Sequence, residues 1–241
     1  MATKSLTDFK VLTFDCYGTM IDWESGIWDA LQPLLMHNDC TTIDRQSALV
    51  LFAKHETEQE RATPELLYPA LLCKVHELMA AELNLASNES LNTQFGNSVP
   101  HWPAFPDSAD ALRLLKQHFK LVILSNVHRA GFAASNTKLG VTFDAIYTAE
   151  DVGSYKPNDK NFDYLLANLK ADLGVEPQHV LHTAQSLHHD LVPATRAGLH
   201  KAWIDRQDLA NGNAWGATAK VSERPSYDFH FPSLMEMAKN L

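Results

Sequence analysis

The chain has 241 residues, of which 45% are hydrophobic and 20% are charged, and its formal net charge at pH 7 is −9. This is the composition of an ordinary globular protein with room for one large domain or two small ones. The negative charge disfavours binding to nucleic acid or to anionic membranes, but it leaves an anionic small-molecule substrate open.

The cysteines and the apolar runs indicate where the protein works. Cys16, Cys40 and Cys73 have no metal-ligand spacing, and three cysteines cannot all pair with one another. This usage indicates a reducing compartment. No apolar run approaches the roughly 20 residues of a membrane helix, and the N-terminal stretch MATKSLTDFK has no signal-peptide core. The sequence therefore predicts a cytoplasmic protein without a membrane partner.

Five short apolar runs along the chain have the character of β-strands. Helix-periodic stretches lie between them, for example at residues 110–119 and 159–169. Strands that are nearly all apolar and alternate with helices are typical of a parallel sheet covered on both faces. The sequence therefore predicts an α/β fold, with its ligand site at the carboxyl ends of the strands. In chain order the runs are 10–14, 121–124, 145–147, 180–183 and 201–204.

Residues 22–98 interrupt this alternation with helical patterns. Apolar residues such as Leu49, Phe52 and Leu71 fit amphipathic helices better than strands. The next segment, VPHWPAFPDS, holds three prolines within seven residues and is typical of a semi-rigid connector. We therefore predict a helical cap domain at residues 22–104, inserted into an α/β core domain made of residues 1–21 and 105–241.

Polar side chains follow the predicted strands at the points where the strands end. A carboxylate at the end of a buried strand costs several kcal/mol unless a partner or a reaction uses it. A parallel sheet brings these strand ends to one rim, so the side chains are expected to surround a single cleft. Their chemistry suits covalent catalysis by a carboxylate. They are Asp15, Tyr17 and Thr19 after the first strand, Ser125 and Asn126 after the second, Lys156 after the third, and Gln185, Ser186 and Asp190 after the fourth.

Four segments resemble the motifs of the haloacid dehalogenase superfamily. They are DCYGTMIDWE, LSNVHR, YKPND and AQSLHHDLVPATRAGL, and they occur in the order of that superfamily between residue 10 and about residue 205. The opening DCYGT is most similar to the branch of type II 2-haloacid dehalogenases. The resemblance implies a Rossmann-like parallel sheet with an inserted helical cap. It also implies a hydrolase that acts through an aspartyl-enzyme ester.

The resemblance also implies roles for individual residues. Asp15 would attack the substrate, and Thr19 would orient it. Lys156 would keep Asp15 ionised and offset the developing negative charge. Ser125 and Asn126 would donate hydrogen bonds to the transferred group or to an anionic part of the substrate.

Asp190 would position the hydrolytic water or bind a metal. In the second case the resemblance implies a Mg²⁺ ion held by Asp15, the Tyr17 carbonyl and Asp190, since Mg²⁺ takes few protein ligands and keeps several waters. The residues expected to contact substrate are Tyr17, His128, Gln185 and Ser186.

Plainer interpretations remain open for several of these residues. Asp190 is also placed to cap a helix at residues 191–197, and Ser125 and Asn126 are common turn residues. The histidines near the fourth strand lack a metal-ligand spacing, so we interpret them as structural or surface residues. They are His179, His182, His188 and His189.

The leaving group is the open question of the sequence. Metal-dependent phosphatases of the superfamily carry an aspartate two residues after the nucleophile, and a missing general acid costs ~10²–10⁴-fold in rate. Tyr17 stands at that position here, which favours a halide, because a halide leaves without a proton. The cap arginine of dehalogenases, however, aligns with Ala53, with Lys54 and Arg61 as substitutes, and their fourth-motif asparagine aligns with Leu187.

Because these residues favour neither leaving group clearly, three functions remain open. Because phosphate transfer is the commoner reaction of the superfamily, the leading prediction is a Mg²⁺-dependent phosphatase acting on small phosphomonoesters. The alternative is a metal-independent 2-haloacid dehalogenase, which needs no cofactor. The third is a non-catalytic ligand-binding protein that has kept the fold. Both enzymatic predictions expect a small anionic substrate and no nucleic-acid or membrane partner.

Overall fold

The computed structural model describes residues 4–241, so residues 1–3 of the predicted core domain lie outside the described residues. Six strands form one parallel sheet in the order β3-β2-β1-β4-β5-β6. The first four strands carry polar loops at their carboxyl ends, and β1 lies centrally between β2 and β4. The α/β prediction is confirmed. The strands are β1 (Val11–Phe14), β2 (Lys120–Ser125), β3 (Ala145–Thr148), β4 (Val180–Ala184), β5 (His200–Ile204) and β6 (Phe229–Phe231).

Helices cover both faces of the sheet because successive side chains of a strand point to opposite faces. Leu12 and Phe14 of β1 belong to an apolar cluster shared with α5, α6 and α10. Val11 belongs to a cluster on the other face, shared with α8 and α9. The helices are α1 (Trp23–His37), α2 (Arg45–Ala62), α3 (Tyr68–Glu82), α4 (Glu89–Gly96), α5 (Ser108–Leu115), α6 (Arg129–Leu139), α7 (Ala149–Val152), α8 (Lys160–Leu173), α9 (Val192–Arg196) and α10 (Leu234–Ala238). Across residues 4–241, no helix combines the length and apolarity that crossing a bilayer requires.

Edge strand β6 was not among the strands predicted from the sequence. It pairs with β5 from Ala202–Phe229 to Ile204–Phe231. Its three residues, FHF, are partly or largely exposed, and so short a run carries no periodic signal. Such a segment is not recognisable as a strand from sequence, and it is followed by the short helix α10.

Helices α1–α4 occupy the segment predicted to form the cap, and α3 packs against both α2 and α4. The two connections to the core run side by side. The Asp22 N–H donates to the Pro103 carbonyl over 2.8 Å, and Ile21 and Ala104 form an antiparallel bridge. Phe52 and Phe95 of the cap share one apolar cluster with the sheet residue Phe14, so this structure has the cap seated on the core. The domain boundaries at 21/22 and 104/105 stay a prediction.

Candidate active site

The carboxylate of Asp15 lies at the end of the central strand β1. The strand is buried at every position, and the Asp15 N–H donates to the carbonyl of Thr183 on β4. The carboxyl group is 6% exposed. Its Oδ2 accepts a hydrogen bond from the Thr19 hydroxyl at 2.7 Å, and its Oδ1 accepts one from Lys156 Nζ at 2.9 Å. These two donors fix the orientation of the carboxylate.

The buried ammonium of Lys156 connects two carboxylates. The side chain is 1% exposed. Its Nζ donates to Asp15 Oδ1 at 2.9 Å, to Asp190 Oδ1 at 2.6 Å and to the Leu124 carbonyl at 3.0 Å. Burial favours the neutral amine, but the charges of Asp15 and Asp190 outweigh it and raise the pKa of Lys156 above its ordinary value. The ammonium therefore stays charged beside the Asp15 carboxylate.

Asp190 is fully buried and is held by a histidine as well as by Lys156. His182 Nε2 lies 3.0 Å from Asp190 Oδ1, and His182 Nδ1 lies 2.9 Å from the Thr13 hydroxyl. A tautomer protonated on Nε2 satisfies both contacts. Burial would raise the pKa of Asp190, but Lys156 and His182 outweigh it and lower that pKa. In residues 4–241, Asp190 Oδ2 has no hydrogen-bond partner.

The position of Asp190 differs from that of a helix cap. It lies inside a single π-helical turn, Leu187–Leu191, which Ser186 caps through its hydroxyl. Helix α9 begins after Leu191 and has no side-chain cap. Such turns distort a helix locally and often occur at functional sites. Here the turn directs the Asp190 carboxylate toward Lys156.

Asn126 joins the loops after β2 and β3 and reaches the cap. Its Oδ1 accepts from the Lys156 N–H at 2.7 Å, and its Nδ2 donates to the Lys156 carbonyl at 3.1 Å. The same Nδ2 donates to Glu60 Oε1 of cap helix α2 at 3.0 Å. Ser125 is 2% exposed, and its hydroxyl has no hydrogen-bond partner among the residues described. Asn126 lines the cleft above Asp15, whereas Ser125 lies beneath that surface.

Thr19 and Gln185 form a second support for the nucleophile. The Gln185 N–H donates to Thr19 Oγ1 at 2.9 Å, which leaves the hydroxyl proton of Thr19 for Asp15. The Gln185 side chain donates to Gln207 and to Thr218. Thr19 itself is fully buried and does not line the cleft.

The phenol of Tyr17 is bonded to helix α6. Its oxygen lies 2.8 Å from Ser135 Oγ, and its ring packs edge to face on Trp102 with centroids 5.4 Å apart. Burial raises the pKa of Tyr17 well above its ordinary value. The phenol is therefore neutral, and its oxygen is engaged away from the carboxylate of Asp15.

His128, expected to contact substrate, lies outside the cleft that contains Asp15. The chain turns after Val127, and His128 is the residue that precedes helix α6. Its ring packs against Gly131, and it borders a separate pocket beside Ala149 and Glu150.

The cleft between core and cap has a cavity of about 80 Å³. It brings together most of the residues predicted for the site: Asp15, Tyr17, Asn126, Lys156, Gln185, Ser186 and Asp190. The cap side is formed by Trp23, Ala53, Glu56, Thr57, Glu60, Tyr68 and Trp102. A loop before β6 adds Ala217, Thr218 and Ala219.

The cap contributes no cationic side chain to the described lining of this cleft. Ala53 stands there as the alignment predicts, but neither of its expected substitutes joins it. Lys54 forms an ion pair with Glu82 of α3 at 2.9 Å. Arg61 is exposed and borders a neighbouring pocket, which shares Thr57, Glu60 and Lys156 with the cleft. Leu187 is fully buried in a third apolar cluster.

Two cap carboxyl groups, which the sequence analysis missed, face the cleft instead. Glu56 and Glu60 are one helical turn apart on α2 and therefore share a face. Glu56 Oε1 accepts a hydrogen bond from the Tyr68 hydroxyl, and Glu60 Oε2 lies 3.9 Å from His189 Nε2. Burial lowers the pKa of His189 to about 3, so that ring is neutral.

Burial also changes the protonation of the cap carboxyl groups. It raises the pKa of Glu56 to about 7. Burial and the neighbouring Glu56 raise the pKa of Glu60 well above its ordinary value. Among residues 4–241, no lysine or arginine forms an ion pair with either carboxyl group. Both groups follow a helical i, i+4 spacing, but that spacing alone does not reveal which face of α2 meets the core.

The donor set does not fit the predicted Mg²⁺ ion. Asp15 and Asp190 each direct Oδ1 to the Lys156 ammonium, and the Thr19 hydroxyl occupies Asp15 Oδ2. Of the four carboxylate oxygens only Asp190 Oδ2 is free of these contacts, so Asp15 and Asp190 do not both have an oxygen available to share one Mg²⁺ ion with the Tyr17 carbonyl. No cluster of three or more histidine, cysteine, aspartate or glutamate residues with metal-binding geometry occurs in the part of the chain that the structure describes.

A parallel α/β sheet with a carboxylate, a lysine and a second carboxylate at its strand ends, under a helical cap, defines a class of hydrolases. The chain belongs to the haloacid dehalogenase-like hydrolase family, whose sequence model matches residues 9–198. This confirms the superfamily resemblance and the prediction of a hydrolase.

Within this family the chain is similar to enzymes that act on halogenated acids. It is 26% identical to an (S)-2-haloacid dehalogenase of Pseudomonas putida over 81% of this chain and 85% of the relative. It is 24% identical to an (S)-2-haloacid dehalogenase of Pseudomonas fluorescens over 89% of each. The structure of L-2-haloacid dehalogenase from Xanthobacter autotrophicus has the same fold, with a TM-score of 0.77, 20% identity, and coverage of 96% of this chain and 97% of that one.

These comparisons contradict the leading prediction of a Mg²⁺-dependent phosphatase and favour the dehalogenase alternative. The prediction was wrong because it gave the frequency of phosphate transfer in the superfamily more weight than Tyr17. The structure gives the physical reason: the two carboxylates meant for the metal are paired with Lys156.

Proposed function

We propose that this protein cleaves the carbon–halogen bond of small 2-halogenated carboxylic acids or their close derivatives by hydrolysis, with Asp15 as the nucleophile and without a metal ion. The observation that carries the proposal is the Tyr17 phenol, which stands where a phosphatase needs a proton donor. It is neutral and bonded to Ser135. A departing halide needs no proton from that position.

Each half of the reaction has residues suited to it. In the first half, an Asp15 oxygen forms a bond to the halogen-bearing carbon, and the carbon–halogen pair of electrons leaves with the halide. In the second half, water attacks the carbonyl carbon of the resulting Asp15 ester. The ester bond breaks to release a 2-hydroxy product, and one proton is released to solvent.

Lys156 stabilises negative charge in the reaction, and Asp190 positions the attacking water. The Lys156 ammonium stabilises the ionised nucleophile and the negative charge that develops on the ester oxygen during hydrolysis. Asp190 Oδ2, free of other partners in residues 4–241, is placed to accept a hydrogen bond from the attacking water. His182 and Thr13 hold Asp190 for this role.

The names of the two curated relatives support the choice of halogenated substrates. The three free cysteines support a cytoplasmic location. The small cavity above Asp15 supports a substrate of a few carbon atoms.

Halide release from a panel of small 2-halogenated acids and amides tests the proposal. We expect halide and the 2-hydroxy product to appear in equal amounts, at the same rate in Mg²⁺ and in chelator. Asp15→Asn, which keeps the shape of the side chain, should abolish release while its thermal unfolding stays that of the wild type. Absence of halide from every compound, with a folded wild type, would overturn the proposal, as would a requirement for metal.

A further inference from the structure

The cap carboxyl groups Glu56 and Glu60 have no part in the ester chemistry, although both line the cleft above Asp15. Glu60 is 6% exposed, and Glu56 is partly exposed. Each is held by one donor, Tyr68 for Glu56 and Asn126 for Glu60, so both have fixed positions and a free oxygen. One buried and one partly exposed carboxyl group line a substrate cleft here without a cationic partner, and this arrangement requires a physical explanation.

With one proton on the pair, Glu56 and Glu60 would present one hydrogen-bond donor and one acceptor to the cleft. Two carboxyl groups one helical turn apart in a buried site do not both ionise readily, because each negative charge disfavours the other. Holding one proton between them leaves one O–H and one carboxylate. The raised pKa values of Glu56 and Glu60 are consistent with this state near neutral pH.

The charge of the cleft is unfavourable for an anion. Lys156, the one ammonium in the described lining, is already shared by Asp15 and Asp190. His189 is neutral, Lys54 is paired with Glu82, and Arg61 lines only the neighbouring pocket. The carboxylate of an ionised 2-haloacid would therefore meet like charge at the cap and no cationic cap side chain in the described lining of the cleft.

We propose that Glu56 and Glu60 are specificity-determining residues that select a neutral carboxamide in place of the carboxylate, so that the preferred substrates are small 2-haloamides. The amide N–H₂ donates to the ionised member of the pair, and the amide carbonyl accepts from the protonated member. This inference rests on the proposed dehalogenation by Asp15. The reaction converts a 2-haloamide and water into a 2-hydroxyamide, a halide ion and a proton, with the amide bond intact.

The matched substrates 2-chloropropionamide and 2-chloropropionate test the selection, because they differ only in the polar end. The measurement is kcat/KM for each, from halide release, with the organic product identified by mass spectrometry. Within one enzyme preparation both kcat/KM values scale with the fraction of folded protein and with the ionised fraction of Asp15. These two factors therefore cancel when one value is divided by the other. The wild type should favour the amide by at least roughly tenfold.

Variants separate the protein's selection from the intrinsic reactivity of the two compounds. The double variant Glu56→Gln/Glu60→Gln should shift the ratio by at least roughly tenfold toward the acid, mainly through a lower KM for the acid. Glu58→Gln is the matched control, since Glu58 lies on the same helix with 56% of its side chain exposed. It should leave the ratio unchanged. Should the double variant fail to fold, Glu56→Gln alone keeps the Glu60–Asn126 bond and should shift the ratio in the same direction.

The outcomes distinguish the two proposals. Asp15-dependent halide release from the acid at least as fast as from the amide in the wild type, or an unchanged ratio in the variants, overturns the selection while dehalogenation stands. An equal fall of kcat for both substrates in the variants also overturns it, because the pair would then act on the reaction itself. No release from either compound by the wild type removes the proposed function and this inference with it.

Discussion

Among the individual residues, the side chains that surround Asp15 determine its chemistry. Lys156 and Thr19 each donate a hydrogen bond to one oxygen of the Asp15 carboxylate. Neither could donate to a leaving group without giving up that hydrogen bond. Asp190 is held in turn by His182. The nucleophile therefore has a fixed geometry and two supporting groups, but no acid two residues further along the chain.

Tyr17→Phe tests the role given to the phenol. Removing the hydroxyl deletes its hydrogen bond to Ser135, which should cost about 0.5–1.5 kcal/mol of stability. Halide release should change by less than about tenfold, well short of the ~10²–10⁴-fold loss that follows removal of a general acid. Steady-state kinetics and chemical denaturation measure the two effects.

Ser135→Ala is the control for that change, because it removes the same hydrogen bond from the other side. The two variants should resemble each other in stability and in rate. A rate loss of a hundredfold or more in Tyr17→Phe, with Ser135→Ala unaffected, would show that the phenol itself takes part in the reaction.

Among the helices, α2 places two carboxyl groups, Glu56 and Glu60, between the cap and the core. Glu56 accepts a hydrogen bond from Tyr68 of α3, and Glu60 lies beside the neutral His189. Both carboxyl groups raise the pKa of Tyr155, and Lys156 acts to lower the pKa of Glu60. Folding raises the pKa of Glu56 from 4.5 to about 7, so the native state binds more protons than the unfolded chain between those values. The stability that this proton contributes is fully present below 4.5 and is lost as pH rises through about 7.

Glu56→Gln should therefore flatten the pH dependence of stability. The variant carries a neutral side chain at every pH, and it also relieves the repulsion on Glu60. The free energy of unfolding of the wild type should fall more steeply than that of the variant between pH 4.5 and about 7. Denaturation at a series of pH values measures both slopes. Parallel slopes for wild type and variant, with Glu58→Gln as control, would contradict the raised pKa.

The elements also show how far the sequence could predict this structure. Strands β1–β5 were predictable because each is a short apolar run followed by polar residues. Most of the core residues that line the cleft are among those polar residues. Strand β6 has three residues and no periodicity. His182 was interpreted as structural, since its contact with Asp190 depends on the register of β4 beside β1. Glu60 was missed because its role depends on how the cap seats on the core.

At the scale of the whole molecule, the cap must open to admit a substrate and to release the product. The two connections between cap and core pair at Ile21 and Ala104, which places both at one hinge. Across the cleft, Tyr155 donates to the Leu66 carbonyl and Asn126 donates to Glu60. These two polar contacts close the site beside the apolar cluster that cap and core share, so opening would have to break both hydrogen bonds and separate part of that cluster.

We expect residues 22–104 to rotate as a rigid body about this hinge. Crystal structures of Asp15→Asn, free and with a 2-halogenated substrate bound, would show the motion as a difference in cap orientation between the two. Each domain should superimpose on itself within coordinate error. A cap that keeps one orientation in both states and in more than one crystal form would contradict the prediction.

A single turnover in H₂¹⁸O with enzyme in excess shows whether Asp15 forms a covalent ester with the substrate. Water that attacks the ester carbonyl leaves ¹⁸O in the Asp15 carboxyl group, and the product receives an unlabelled oxygen from Asp15. Mass spectrometry of the peptide containing Asp15 and of the hydroxy product measures both. We predict a labelled Asp15 and an unlabelled product. An unlabelled Asp15 with ¹⁸O in the product would mean that water attacks the substrate directly, which contradicts the account.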